Sequence, residues 1–220
     1  MLRKLFVVRH GETLWNSEFR LQGRLDSPLT EQGQRQAADN GELLARLGVE
    51  RLLVSPLGRT RQTAAIINVH VKANIELYDA LVERDCGAWA GLTMSEIKTH
   101  QAVAWRERLA NEWLHRPPGG ENMPDVIARI APLLDALPGS EADRIAIVSH
   151  GVVGKAILAH YLKLTDTAAG HIRQPNDVVY ALDFSGHAAE PHCEHYKGGA
   201  GPLAGIVRSS QPTIGGALSE

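Results

Sequence analysis

The sequence predicts an α/β fold: a three-layer α/β/α sandwich built on a mostly parallel central sheet, with one helical insertion. Three observations carry that expectation. Apolar runs without polar alternation recur at Leu5-Phe6-Val7-Val8, Leu52-Leu53-Val54 and Ile145-Ala146-Ile147-Val148, as strands buried on both faces require. Helical patterns separate the runs, and that alternation generates parallel strands joined by crossovers. The first and last runs also break off into similar polar tips, Arg9-His10-Gly11 and Ser149-His150-Gly151.

The elements follow in order. After the first strand an irregular segment over residues 11 to 28 leads to Thr30, whose hydroxyl can cap a helix running to about residue 47, with Ala37, Ala38, Leu44 and Leu47 on its apolar side. Gly48 stops that helix, and residues 51 to 55 read as the second strand. Pro56-Leu57-Gly58 turns the chain into a helix over about residues 59 to 68, so Arg59 sits just past a strand tip. A shorter strand is expected over residues 75 to 78. The glycines within residues 81 to 91 argue against a continuous element there and leave Glu83 in a third strand-to-helix connection.

Thr93 and Glu96 match a capping box, and two helical stretches follow, one through Trp105 and Trp113 and one over about residues 124 to 137. The turn Pro117-Pro118-Gly119-Gly120-Glu121 lies between them, and residues 92 to 137 together read as the insertion. Both tryptophans read as packing residues. The fourth strand runs into His150, a helix follows over residues 152 to 162, and residues 178 to 184 supply a final core strand. The domain is expected over residues 1 to 196. Residues 197 to 220, rich in Gly, Ser and Pro, have the composition of a flexible tail, with folding over the body of the domain as the alternative.

A chain of 220 residues can bury a core without disulfide or metal support. Its 23 Lys and Arg against 25 Asp and Glu, without a basic block, lack the electrostatic footprint of a nucleic-acid binder. Only Cys86 and Cys193 are present, far apart, which points to a reducing compartment, with cytoplasm as the expectation. The first apolar run is too short for a signal peptide and no run reaches membrane-spanning length, so no membrane partner is expected. An exposed apolar sheet edge would favour a homodimer.

Residues just beyond the carboxyl ends of strands in an open α/β sheet converge on one crevice. A phosphoryl group in a loose transition state needs cationic or hydrogen-bonding donors on several sides and one nucleophile in line. Arg9, His10 and His150 suit those tasks, and neutral imidazole can form a covalent intermediate near neutrality. The helix after His150 adds free backbone amides beside such an anion.

The assembled residues resemble the histidine phosphatase superfamily, in its phosphoglycerate mutase-like branch. The matching text is Val7-Val8-Arg9-His10-Gly11-Glu12-Thr13-Leu14-Trp15-Asn16, Gln22-Gly23, Asp26-Ser27-Pro28-Leu29-Thr30 and Ser55-Pro56-Leu57-Gly58-Arg59-Thr60-Arg61-Gln62-Thr63. Leu81-Val82-Glu83 with Gly87-Ala88-Trp89-Ala90-Gly91, Gly119-Gly120-Glu121 and Val148-Ser149-His150-Gly151 complete it in the same order. The resemblance covers about residues 5 to 165.

It implies a phosphoglycerate mutase-like fold, with His10 as the nucleophile that forms phosphohistidine and Glu83 as proton donor and acceptor. Arg9, Arg59 and His150 would surround the phosphoryl group, with Asn16 completing the anion pocket and Gly151 contributing a substrate contact. Attack requires one His10 nitrogen to be free, so the other is expected to donate to a backbone carbonyl near Gly11. A partly desolvated carboxyl would suit the work assigned to Glu83.

Gln22, Gly23 and Arg61 can line the substrate mouth, although Arg61 reads equally well as a solvated helix residue. Glu121 is either a site contact or a first-turn helix carboxylate. His187, His192, Cys193 and His195 form a late cluster, but their spacing matches no zinc pattern, and strand alternation explains it. No metal and no cofactor are implied. The expected activity is hydrolysis of a small phosphorylated metabolite. The alternatives are a phosphoglycerate mutase, for which 2,3-bisphosphoglycerate would be the primer, and a noncatalytic phosphate-ligand sensor.

Overall fold

The computed structural model describes residues 1–186 and 190–210. β1 (Lys4–Arg9) is buried along nearly its whole length and leads through a single helical turn, α1 (Leu14–Ser17), to α2 (Glu31–Arg46). Thr30 caps α2 as its sequence position predicts, its side chain accepting from the Gly33 amide. β2 (Arg51–Val54), α3 (Gly58–Val71) and β3 (Asn74–Leu77) follow. The insertion contains α4 (Met94–His100), α5 (Ala102–Ala110) and α6 (Met123–Ala136). β4 (Arg144–Ser149), α7 (Gly151–Tyr161), α8 (Asp166–Gly170), β5 (Val178–Asp183), β6 (His192–Lys197) and β7 (Ala200–Ala204) complete the described chain.

The strands form one sheet in the order β3-β2-β4-β1-β5-β6-β7. β1, β2, β3 and β4 run parallel, with Val8 opposite Val148 and Val54 also opposite Val148. β5, β6 and β7 extend the sheet antiparallel from β1. Strand alternation divides the core into two layers. Leu5, Val7, Leu53, Ile145 and Ile147 face a cluster with Val126, Ile130 and Leu134 of α6 and Val153, Ala156 and Ile157 of α7. Phe6, Val8, Leu52, Val54, Ala146 and Val148 face Leu43 and Leu44 of α2 and Ala64 and Ile67 of α3.

A smaller cluster of Leu21, Cys86, Trp89, Ile97 and Trp105 seats the start of the insertion, and Trp113 packs against the larger core layer. Both tryptophans are therefore packing residues.

The boundary expected at residue 197 needs correction. β6 ends there, and Gly198 and Gly199, at φ 55° and 75°, turn the chain back into β7, which pairs with β6. Beyond it, the Arg173 amide donates to the Val207 carbonyl, and Ile172 bridges to Arg208. Backbone pairing holds a segment whose composition reads as a linker. Residues 211–220 lie outside the described residues, as does His187 of the late cluster. His192, Cys193 and His195 lie on β6, and no cluster of His, Cys, Asp and Glu suited to a metal occurs among the described residues. No helix among them is long and apolar enough to cross a membrane.

Candidate active site

The carboxyl ends of β1, β2 and β4 open onto one crevice, and each delivers a charged or imidazole side chain. Arg9 ends β1 and His10 follows it, the His10 amide continuing the ladder to the Ser149 carbonyl at 3.0 Å. His150 is the N-cap of α7, directly after β4, and Arg59 stands in the first turn of α3 after β2. The His10 and His150 rings lie 5.4 Å apart, inclined at 62°.

The His10 backbone is clamped. The Asn176 side chain donates to its carbonyl at 2.6 Å, and the Gly11 amide donates to the Thr63 hydroxyl at 3.0 Å. Gly11 must be glycine: an added Cβ would stand 2.2 Å from the Gly33 carbonyl oxygen of α2. The His10 Nδ1 lies 2.8 Å from the Gly11 carbonyl, so Nδ1 carries the proton and donates, and Nε2 keeps its lone pair. Burial, then the charges of Arg59 and Arg9, hold the His10 pKa well below the ordinary imidazole value, so the ring is neutral near pH 7.

His150 is also neutral, its pKa depressed by burial and then by Arg59, His10 and Arg9. Its Nε2 is 2.8 Å from the Ser55 hydroxyl oxygen, which also accepts from the Leu57 amide at 3.5 Å. The Ser55 hydroxyl is placed to donate to Nε2, the pairing that puts the His150 proton on Nδ1. Nδ1 is buried without a hydrogen-bond partner among the described residues.

Arg59 is 1% exposed yet meets one carboxylate. Its Nη1 donates to Asp26 at 2.9 Å and to the Leu25 carbonyl at 2.7 Å, and Nη2 donates to the Gly23 carbonyl at 2.8 Å. Gly23, at φ 52°, turns the chain there. Arg9 donates to the Gln174 carbonyl at 3.0 Å, and burial pulls its pKa down to about 10, with Glu83 opposing the shift. Glu83 is buried at the crevice wall and accepts from the Arg84 amide at 2.8 Å and the Val152 amide at 3.3 Å, the latter in the first turn of α7.

Arg9, His10, Asn16, Gln22, Gly23, Arg59 and Glu83 line a single pocket, with Gln22 Oε1 buried and unpartnered. Asn16 is set by Thr13, whose amide and hydroxyl both donate to its Oδ1 at 3.1 Å. Gly151 opens α7 beneath His150 and does not line the pocket.

Arg61 and Glu121 are corrections. Arg61 is exposed on α3, away from the pocket, because the helix turns it outward. Glu121 accepts from the Asp85 amide at 2.9 Å and pairs with Arg24 and Arg129 at 3.1 Å each, so it braces the loop that carries Glu83 instead of touching the pocket. Sequence reasoning assigned no role to Asp26, Ser55 or Arg84, although all three stand inside or beside the matched motifs. Gln174 and Asn176 carried no motif signal at all.

A family model described as the histidine phosphatase superfamily, branch 1, matches residues 5–195. The chain belongs to this superfamily. It is an enzyme of the phosphatase or phosphoglycerate mutase kind. It is 35% identical over 183 residues to the probable phosphoglycerate mutase GpmB of Salmonella paratyphi B, covering 82% of this chain and 85% of that one. Among solved structures it is similar to a mycobacterial glucosyl-3-phosphoglycerate phosphatase complexed with VO3, at TM-score 0.79 and 30% identity over 89% of this chain and 98% of that one. YhfR of Bacillus stearothermophilus gives TM-score 0.77 and 27% identity, covering 98% of each chain. This superfamily member thus shares its architecture with enzymes named as phosphatases and its sequence with a probable mutase.

Proposed function

We propose that the protein is a phosphomonoesterase that hydrolyses a small phosphorylated metabolite through a phosphohistidine at His10. One observation carries the reading: the Gly11 carbonyl accepts a hydrogen bond from Nδ1 of a buried, neutral His10, leaving Nε2 as a nucleophile beside Arg9 and Arg59.

In the first half-reaction His10 Nε2 bonds to phosphorus as the ester P–O bond breaks, and Glu83 gives its proton to the departing alkoxide. In the second, Glu83 takes a proton from water, the hydroxide oxygen bonds to phosphorus, and the P–N bond breaks to release phosphate. Arg9, Arg59 and His150 Nδ1 stabilise charge on the equatorial oxygens, the arginines through rigid forks matched to phosphate. The reaction needs no metal and no cofactor, and the cytoplasm is the compartment that suits it.

The deciding experiment is turnover of p-nitrophenyl phosphate with chelator present, together with rapid acid quench. Hydrolysis that vanishes in His10→Ala, with an acid-labile phosphoenzyme, supports the reading. Absence of the phosphoenzyme removes covalent catalysis, and absence of turnover with phosphate still bound leaves the sensor.

The likeness to GpmB favours a second reading, phosphoglycerate mutase. It shares the first step but must retain a bisphosphorylated intermediate while excluding water. Interconversion of 2- and 3-phosphoglycerate that depends on added 2,3-bisphosphoglycerate would select it.

A further inference from the structure

Gln174 and Asn176, in the segment between α8 and β5, both reach the tip of β1. The Gln174 carbonyl accepts from the Arg9 guanidinium at 3.0 Å, and the Asn176 side-chain amide donates to the His10 carbonyl at 2.6 Å. Their placement follows from the sheet. β5 pairs antiparallel with β1 as far as Val8 opposite Val179, and the same register carried onward sets Gly11 opposite Asn176. Pairing stops short of that point in a turn, the Val178 amide donating to the Pro175 carbonyl at 3.2 Å. The Asn176 side chain supplies a donor where the ladder has ended.

The bond falls on a decisive atom. The His10 carbonyl and the Gly11 amide belong to one peptide plane. Asn176 holds the carbonyl side of that plane, and the Thr63 hydroxyl holds the amide side at 3.0 Å. The setting of the plane is one of the backbone angles that place the next carbonyl, that of Gly11, against His10 Nδ1 at 2.8 Å. Both the tautomer of the ring and the direction of Nε2 depend on it.

The loop that carries Asn176 is held in turn. Asn40 of α2, itself buried, donates to the Asn176 carbonyl at 3.5 Å. The hydroxyl of the buried Tyr180 donates to the Arg173 carbonyl and accepts from the Val207 amide at 3.3 Å. The Arg173 amide donates to the Val207 carbonyl at 2.9 Å, and the Ser209 amide to the His171 carbonyl at 3.0 Å. Val207 and Ser209 lie past residue 195, where the family match ends. Chain outside that match therefore braces a loop that touches the backbone of His10.

We propose that Asn176 is a positioning residue for His10: its amide fixes the His10–Gly11 peptide plane and so keeps Nε2 in line with phosphorus, while Tyr180 latches its loop to the C-terminal segment. The proposal rests on the reading of His10 as nucleophile. Asn176 acts through the His10 backbone, so its loss falls on the rate of attack and spares the binding of phosphate, for which Arg9, Arg59 and His150 remain. A displacement of about 1 Å costs about 10²-fold in rate, and losing one of two holds on the plane should cost part of that.

The test compares full-length Asn176→Ala and Asn176→Gln with the wild type. The rate of phosphoenzyme formation from p-nitrophenyl phosphate, read by rapid quench, should fall about tenfold in Asn176→Ala. The calorimetric Kd for inorganic phosphate should change by less than about threefold. Asn176→Gln keeps an amide donor and should recover part of the rate. Nitrogen NMR of His10 should show the Nδ1-protonated form giving way to a mixture of tautomers in Asn176→Ala, a change that general softening of the fold would not produce. Should Asn176→Ala fail to fold, Tyr180→Phe keeps the packed ring, and should slow formation about threefold with phosphate binding unchanged.

Phosphoenzyme formed at the wild-type rate in these variants, or a rate lost only in step with phosphate affinity, overturns the proposal. If the wild type itself forms no phosphoenzyme, the covalent reading fails on its own. The His10 spectrum then decides about Asn176: a tautomer mixture in Asn176→Ala supports its hold on the ring, and an unchanged tautomer overturns it.

Discussion

Asp26 grips Arg59 twice: its Oδ1 accepts from the guanidinium at 2.9 Å and from the Arg59 backbone amide at 3.2 Å. Its other oxygen accepts from the Gly58 amide at 2.6 Å. One carboxylate from a distant loop therefore caps α3, whose own N-cap, Leu57, has no side-chain acceptor, and aims the arginine that reaches the phosphate pocket.

Removing that carboxylate separates the two tasks. Asp26→Ala loses the cap and should cost about 1 kcal/mol of stability, seen as a lower midpoint in denaturant. It should also lower kcat/KM about tenfold, because a loosened guanidinium no longer meets the phosphoryl group in a fixed position. Asp26→Asn keeps an acceptor, so stability should largely return while kcat/KM stays depressed. The exposed side of Asp26 limits the ion pair itself to under about 1 kcal/mol. Equal activity in all three proteins would show that Arg59 needs no such anchor.

Arg59→Lys should be far from conservative. The guanidinium reaches the Gly23 and Leu25 carbonyls and Asp26 at once, geometry that one ammonium cannot reproduce while also facing an anion. A fall of about 10²- to 10³-fold in kcat/KM is expected, the size seen on losing a preorganised oxyanion donor. A loss below about threefold would mean that only charge matters at this position.

The parallel half of the fold was legible because its strands are buried on both faces, which leaves uninterrupted apolar runs, and because Arg9, His10 and His150 sit at their tips. Of the β6–β7 hairpin, the strand alternation of β6 was legible, but β7 and its pairing were not. His192-Cys193-Glu194-His195 and the Gly-rich turn after Lys197 carry little apolar signal, and the hairpin is held by backbone pairing that side-chain composition does not record. Glu121 shows the same limit inside the site. Its motif pointed to the pocket, but only folding reveals that it holds the Asp85 amide and two arginines, one step behind Glu83. Asp26 and Ser55 were visible as motif letters, without the partners that give them meaning.

Ser55 is a positioning residue for His150, and its removal should show in the imidazole. With the hydroxyl gone, Ser55→Ala leaves Nε2 without its 2.8 Å partner, and the ring is free to adopt the tautomer that turns a lone pair toward the phosphoryl oxygens. A decrease of about tenfold in kcat is expected. Nitrogen NMR should show His150 losing its single Nδ1-protonated form, a change that simple loosening of the core would not produce. Ser55→Thr, which keeps the hydroxyl, should recover the tautomer. An unaltered spectrum would rule out the serine as its source.

Acid sensitivity follows from the two buried imidazoles. His10 and His150 both have pKa values well below 6.5 in the native protein, chiefly through burial, whereas in the unfolded chain they return to about 6.5. Above that value neither state binds the proton and the pair adds no slope. Below it the unfolded chain takes up protons that the native state refuses, so stability falls as pH drops, by up to about 1.4 kcal/mol per pH unit for each ring, until the native rings begin to titrate. Thermal unfolding between pH 8 and 4 should show Tm steady near neutrality and declining below about pH 6.5. His150→Gln, which cannot take up the proton, should have a shallower decline than the wild type over that interval. Parallel declines would place the acid sensitivity elsewhere in the molecule, and a Tm that rose on acidification would mean that the native site binds the proton more tightly than the unfolded chain, contrary to the burial of both rings.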